Sequence, residues 1–325
     1  MLCCVVPAYR ARATVCGVVA GLLAVADHVI VVDDACPERS GTAVAAEFSG
    51  NPRVTVVARE SNGGVGAAVK TGIAAALEHG ADVIVKVDAD AQMDPSYVPA
   101  IAHVFAEHPE IGYVKGNRFV SETALHRMPK LRLFGNAVLS LFVKLASGYW
   151  NLLDPTNGYV AFSASMLRDM PWERFADGYF FEISVLGSLG IRQMPIAELE
   201  MPAIYRSERS SLSVARAVFE FPPKLVALAL RRLGLQYFLF DVNLGSLYVV
   251  FGALLTLFGV ALGVAEWFAT LRTGHARTPG TVMLAVIPIL IGIQLISNAL
   301  MYDVQFAPKT LRERRTAAKD ARVLR

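Results

Sequence analysis

The stretch VKVDADAQMDP, residues 85–95, ends an apolar run in three acids, Asp88, Asp90 and Asp94. In an extended segment side chains two apart share a face. Asp88, Asp90 and Gln92 would then present three oxygen-bearing groups to one side. Such a set suits a hard divalent cation, Mg²⁺ or Mn²⁺, whose shell is completed by water and phosphate oxygens. The plainer alternative is a solvated turn with acids serving as helix caps. Asp94 before Pro95 fits that alternative, since Asp-Pro is a common helix start.

The run behind this stretch, Val83 to Val87, is the fourth of a series that begins with Leu2 to Val6, His28 to Val32 and Val54 to Ala58. Alanine-rich segments of helical length lie between them, at about 12–26, 40–49 and 65–79. Strand and helix in alternation predict an α/β fold, a mainly parallel sheet flanked by helices. In such sheets ligands gather at the carboxyl ends of the strands. Those ends read Pro7-Ala8-Tyr9, Asp33-Asp34, Asn62-Gly63-Gly64-Val65-Gly66 and Asp88-Ala89-Asp90-Ala91-Gln92. Asp33 and Asp34 suit a base or ribose. The glycine loop lets backbone approach a ligand and turns a helix N-terminus toward phosphate. It is neither the dinucleotide fingerprint nor a P-loop. A further strand is expected at Gly112 to Val114, running into Lys115-Gly116-Asn117-Arg118. A helix should follow from Lys130 to Leu145, and Gly158 to Ser163 should be a strand entering a short helix.

Among the 325 residues 54% are hydrophobic, and the excess is local. Leu244–Ala265 and Gly280–Tyr302 carry no charge, and each is long enough to cross a bilayer core of about 30 Å. Two buried core helices are the alternative. Arg231 and Arg232 precede the first run, only Arg272 and Arg277 are basic between the two, and the tail from Pro308 is rich in Lys and Arg. The positive-inside rule then expects a plasma-membrane protein with two spans, its N-terminal domain and tail cytoplasmic, with no signal peptide ahead of the first strand. Residues 213–238 should be two amphipathic helices on the membrane surface, split at Pro222-Pro223. The expected division is 1–212, 213–240, 241–304 and a basic tail 305–325. Net charge +3 gives no case for nucleic acid. Cys3, Cys4, Cys16 and Cys36 lack metal-ligand spacing and read as small hydrophobes in a reducing compartment.

The ordered set of strand-end motifs resembles the family 2 glycosyltransferases of GT-A fold, over about residues 1–212. Within them it is similar to the group acting on polyprenyl phosphates. The resemblance implies that Asp88, Asp90 and Gln92 hold the metal on a sugar-nucleotide diphosphate. It implies that Pro7, Tyr9, Asp33 and Asp34 surround the nucleoside, with Asn62, Gly63 and Gly66 beside the donor. Arg118, and Arg132 with Asn136 where the family has Arg-x-x-x-Ser, would grip the acceptor phosphate. Asp154 to Tyr159 resembles the Asp-x-x-x-Gly-aromatic segment near the reacting centre. Gly178 to Glu182 resembles a segment ending in an acid near the donor sugar, and Arg206, Arg209 and Ser211 the last basic cluster. The chain departs from the family with Arg10-Ala11 for Asn-Glu, Ala35-Cys36 for Gly-Ser, and Asn136 for serine. The first two bear on nucleotide selectivity. Plainer readings remain for the arginines: Arg118 as a surface charge, Arg132 on a polar helix face, Arg206 and Arg209 against lipid head groups.

The expected chemistry is a single inverting displacement from a UDP- or GDP-sugar to a polyprenyl phosphate. That acceptor is already ionised near pH 7, which makes Asp154 and Glu182 positioning groups. A sugar hydroxyl acceptor would require one of them as base. The competing readings are transfer to another lipid or glycan hydroxyl, and a non-catalytic nucleotide-binding membrane scaffold. Membrane lipid is an expected partner, and self-association a possible one.

Overall fold

Residues 1–118, 130–201 and 214–313 are described by the computed structural model, with helical residues 130–134 and 214–218 described by backbone alone. The chain divides into two units, one of residues 1–229 with the segment from 308 onward, the other of residues 230–307.

In the first unit the four apolar runs become parallel strands: β1 (Leu2–Ala8), β2 (His28–Asp33), β3 (Val54–Ala58) and β4 (Val83–Lys86). Their side chains alternate between two buried faces, as period-2 geometry requires. Cys3, Val5, Ile30, Val32 and Ile84 enter one core, while Cys4, Val6, Val29, Val31 and Val85 enter the other. Burial on both faces explains why these runs are uninterrupted. The connecting helices are α1 (Val15–Leu23), α2 (Ser40–Glu47) and α3 (Val65–Glu78). Gly72 of α3 lets that helix lie close on the sheet, because a Cβ there would sit 2.2 Å from Val5 Cγ1. After α4 (Val98–Glu107) come β5 (Tyr113–Asn117), α5 (Lys130–Ser147), β6 (Val160–Ser163), α6 (Ala164–Arg168), α7 (Phe181–Ile191) and β7 (Ile196–Glu200).

The last strand, β8 (Thr310–Glu313), pairs in parallel with β7. The order across the sheet is β3-β2-β1-β4-β6-β5-β7-β8. Only β6 runs against its neighbours, β4 and β5, among the described strands. That reversal has a use. It brings the segment entering β6, residues 154–159, to the edge where the parallel strands end.

Three expectations need correction. Residues 213–238 are not two pieces, because α8 (Val214–Gly234) runs through Pro222 and Pro223. Phe221 and Leu225 on either side of the pair are buried in the core, and that burial offsets the hydrogen bonds two prolines remove. The first unit continues past 212 to 229. The 305–325 segment is not all tail, since four of its residues complete the sheet.

In the second unit a π-helical turn, Leu235–Phe240, leads to α9 (Leu244–Thr273) and α10 (Pro279–Gln305). Both are long and apolar enough to cross a membrane. Their contact is lined by Gly245, Gly252 and Gly259 facing Ala285, Gly292 and Ala299. A Cβ on Gly292 would lie 2.7 Å from the Gly252 carbonyl oxygen, so the backbones pack in near-direct contact, as small residues at sevenfold spacing permit. Leu254, Leu257, Phe258, Leu284, Leu290 and Met301 stand exposed on the outer faces.

Candidate active site

At the end of β2 the acids are fixed by backbone. Asp33 Oδ1 accepts from Cys36 N at 2.7 Å and Oδ2 from Gly41 N, in the first turn of α2, at 2.6 Å. Asp34 accepts from Gly63 N at 3.0 Å and Gly64 N at 2.8 Å, and pairs with Arg59 Nε at 2.8 Å. The two acids therefore shape the β2–α2 turn and the glycine loop. The loop also serves the chain itself, because Ala67 N donates to Asp177 O at 2.9 Å and a Cβ on Gly66 would lie 2.1 Å from Ala176 O. Part of the amide surface expected to face phosphate is thus spent on Asp34 and residue 177. Pro7 is half-buried; Tyr9 and Asn62 are exposed at the same edge, with the Arg10 guanidinium 5.4 Å from the Tyr9 ring centre. Arg10 and Ala35, two of the departures from the family pattern, both adopt positive φ, 54° and 51°.

Strand geometry stops at Lys86, so Asp88, Asp90 and Gln92 do not share a face by alternation. They lie in a turn in which Ala91 has φ 57° and Gln92 N donates to Asp90 Oδ1 at 3.0 Å. The acids remain electrostatic neighbours. Burial raises the Asp88 carboxyl above its ordinary range, Lys86 opposes this, and Glu182 and Asp90 add to it.

The sequence reading passed over Lys86. Its ammonium is buried and donates to Glu182 Oε1 at 2.9 Å and Gly158 O at 3.1 Å, and it pairs with Asp88 Oδ1 at 2.9 Å. It joins the end of β4, the entry to β6 and the first turn of α7. Burial alone would pull this amine down, but the Asp88 and Glu182 carboxylates more than offset that and raise it. Lys115, fully buried on β5, donates to Asn157 O. Burial pulls it down to about 8, against the pull of Glu182 and Asp154. The available signal was a lysine inside an otherwise apolar strand.

Beyond β5, Arg118 and Asp154 form a two-point pair, Nε to Oδ2 at 2.8 Å and Nη2 to Oδ1 at 3.1 Å. The Arg118 amide also donates to Oδ2 at 3.1 Å, and Thr156 Oγ1 to Oδ1 at 3.3 Å. Asp154 is wholly buried. The edge therefore brings together Asp88, Asp90, Glu182, Arg118 and Asp154. Arg132 lies in α5, where only backbone is described, and Arg206, Arg209 and Ser211 lie outside the described residues.

Residues 3–170 match the glycosyl transferase family 2 model. An undecaprenyl-phosphate mannosyltransferase of Micrococcus luteus is 31% identical over 158 residues, 48% of this chain and 63% of that protein. A UDP-N-acetylglucosamine–dolichyl-phosphate N-acetylglucosaminyltransferase of Methanococcus voltae is 31% identical over 153 residues, 47% and 60%. The polyprenol monophosphomannose synthase of Mycolicibacterium smegmatis is 26% identical over 201 residues, 59% and 74%. The chain thus spans less than two thirds of the first two relatives. With the family match covering over half of the chain and the GT-A-like sheet behind it, the chain belongs to glycosyl transferase family 2.

Proposed function

We propose that the chain transfers a sugar from a UDP- or GDP-sugar to a polyprenyl phosphate, with inversion at the anomeric carbon, at the cytoplasmic face of a membrane crossed by α9 and α10. One observation carries the reading. β6 stands between β4 and β5, so the Asp88–Asp90 turn and the Asp154-clasped Arg118 end strands two places apart. At about 4.8 Å per strand that is roughly 10 Å, the scale of a diphosphate, a sugar and an incoming phosphate in line. The names of the three relatives, all lipid-phosphate sugar transferases, support the acceptor class.

A divalent cation fits this edge. Asp88 and Asp90 each keep Oδ2 free of hydrogen bonds among the described residues, while Oδ1 is held by Lys86 and by Gln92 N. No third His, Cys, Asp or Glu joins them among the described residues. That matches Mg²⁺ or Mn²⁺ held by one or two carboxylates with water and substrate phosphates. When bound, the cation neutralises charge on the leaving diphosphate. Lys86 fixes Asp88 and ties it to Glu182 beside the donor sugar. Arg118 orients the acceptor phosphate by charge-assisted hydrogen bonds. Asp154, with both oxygens committed to Arg118, orients that guanidinium. The phosphate acceptor is its own nucleophile, so rate comes from placement and preorganised charge.

The return of residues 308–313 to the unit that residue 229 left supports the two-span reading, since two crossings would bring the chain back to the same side. The basic tail supports the cytoplasmic side. The test is full-length protein in nanodiscs with undecaprenyl phosphate, a panel of UDP- and GDP-sugars and Mg²⁺ or Mn²⁺. Glycosylated lipid phosphate is expected by mass spectrometry, lost in Asp90→Ala or with chelator. Nucleotide release without lipid product would remove the acceptor assignment. Folded protein that binds no donor would favour the scaffold.

A further inference from the structure

The Arg118–Asp154 pair is held from behind by residues far from it in sequence. The amides of Leu153 and Asp154 both donate to Glu198 Oε1, at 2.8 and 2.9 Å. Glu198 lies on β7 and is buried. Its other oxygen, Oε2, accepts no hydrogen bond among the described residues, and Arg312 Nε of β8 lies 4.0 Å from it. Arg312 stands opposite Glu198 in the parallel pairing. Its Nη2 also donates to the carbonyl of Asn151 at 3.0 Å. The 151–154 turn that presents Asp154 is thus gripped twice, at Asn151 by Arg312 and at 153–154 by Glu198.

A buried carboxylate is costly unless charge and hydrogen bonds compensate it. Burial pushes the Glu198 carboxyl up, and the two amides and Arg312 oppose that shift. Arg312 therefore acts on the turn directly and also through the acid that holds it. Both groups belong to the sheet, yet Arg312 follows the two apolar helices in the chain.

We propose that Glu198 and Arg312 are positioning residues for the acceptor half of the site, acting through the 151–154 turn and Asp154 on Arg118. The site is then complete only when the segment beyond the second apolar helix has added its strand to the sheet. A chain whose hairpin crosses the bilayer only once leaves Arg312 on the far side. It therefore carries an intact donor edge and a slack acceptor edge. The acceptor assignment rests on the reading of Arg118 given above, whereas the coupling of Arg312 to Arg118 does not.

Arg312 is suited to the test because its side chain is 53% exposed, so its replacement leaves the core intact. Full-length Arg312→Ala, Arg312→Lys, Arg118→Lys and the double variant Arg312→Ala with Arg118→Lys would be compared in nanodiscs. Donor KM, acceptor KM, kcat and thermal midpoint are read for each. Arg312→Ala should raise acceptor KM or lower kcat about tenfold, with donor KM within twofold and only a small fall in thermal midpoint, because the two amides still compensate Glu198. Arg312→Lys should restore most of the loss. The double variant should be little worse than Arg118→Lys alone, as for groups acting in series. Wild-type acceptor kinetics in Arg312→Ala would overturn the inference. So would additive losses, or equal changes in both KM values with a lowered midpoint. If Arg118→Lys moves the donor KM instead, the acceptor reading of Arg118 falls, and non-additivity in that parameter still decides the coupling.

Discussion

Among the described residues two arginines are clasped by an aspartate through two nitrogens, and their surroundings differ. Arg118 meets Asp154 at 2.8 and 3.1 Å, and Arg232 meets Asp303 at 2.7 and 2.9 Å. In the first pair the arginine remains 28% exposed above a wholly buried acid. In the second both partners are buried, and Tyr237 OH and Gln236 Oε1 add further bonds at 2.8 and 3.0 Å. The open pair presents a cation at the sheet edge. The closed pair fastens the segment ahead of α9 to the end of α10. A salt bridge is therefore not one kind of feature. We expect loss of the outward-facing cation to be felt in turnover and loss of the enclosed pair in stability.

Breaking the closed pair should have the largest effect. Asp303→Ala leaves the Arg232 guanidinium buried without its counter-charge, which costs roughly 3–5 kcal/mol. Thermal unfolding in detergent should show it, with turnover per folded molecule unchanged. Arg232→Met together with Asp303→Leu should recover most of the loss, because a buried pair is often replaceable by well-packed apolar residues. Another buried cation sharpens the contrast, since Lys115 donates to a carbonyl where the arginines have carboxylates. Its amine is near 8 when folded against 10.5 for the free group. At this site the unfolded chain then binds more protons between those values, so the contribution of Lys115 to stability should grow with pH from about 8 to about 10.5, by about 3 kcal/mol. The stability difference between wild type and Lys115→Met should grow in favour of wild type over that range, as read from unfolding midpoints.

Next comes the open pair. Asp154→Asn keeps the shape and removes the charge, and should lower kcat/KM for the acceptor about 100-fold, near 2.7 kcal/mol. An unchanged kcat/KM would remove the active-site role of this pair. The smallest effect lies away from every buried cation, at Ala35, whose φ of 51° is one glycine adopts without strain. Ala35→Gly should stabilise by up to about 1 kcal/mol, the relief of strain less the added chain entropy. A lower midpoint would mean that the turn tolerates alanine without strain.

The sequence revealed what is local. β1 to β4 were legible because their apolar runs end in turn residues, and α9 and α10 because charge is missing from them. Arg118, Asp154 and Glu182 entered through motif resemblance, but their partners did not. Arg118 finds Asp154 across 36 positions, and Glu182 finds Lys86 across 96. Periodicity carries no record of such pairings. β7 and β8 escaped notice because each mixes charged with apolar residues over four or five positions, too short a pattern to separate strand from loop. The turn at Asp88–Gln92 was misread as extended because only Ala91, a residue not suited to positive φ, marks the reversal.

The sheet that β8 closes is interrupted in time as well as in sequence. At about 5–20 residues per second, synthesis delivers residue 308 roughly 4–16 s after residue 229. Over that interval the outer edge of β7 has amides and carbonyls with no neighbour, the condition under which sheets capture strands from other chains. Glu198 sits on that edge with its side chain turned inward, among the devices that discourage such capture. Before it anchors the turn beneath Arg118, the same carboxylate guards an unfinished sheet against the wrong partner.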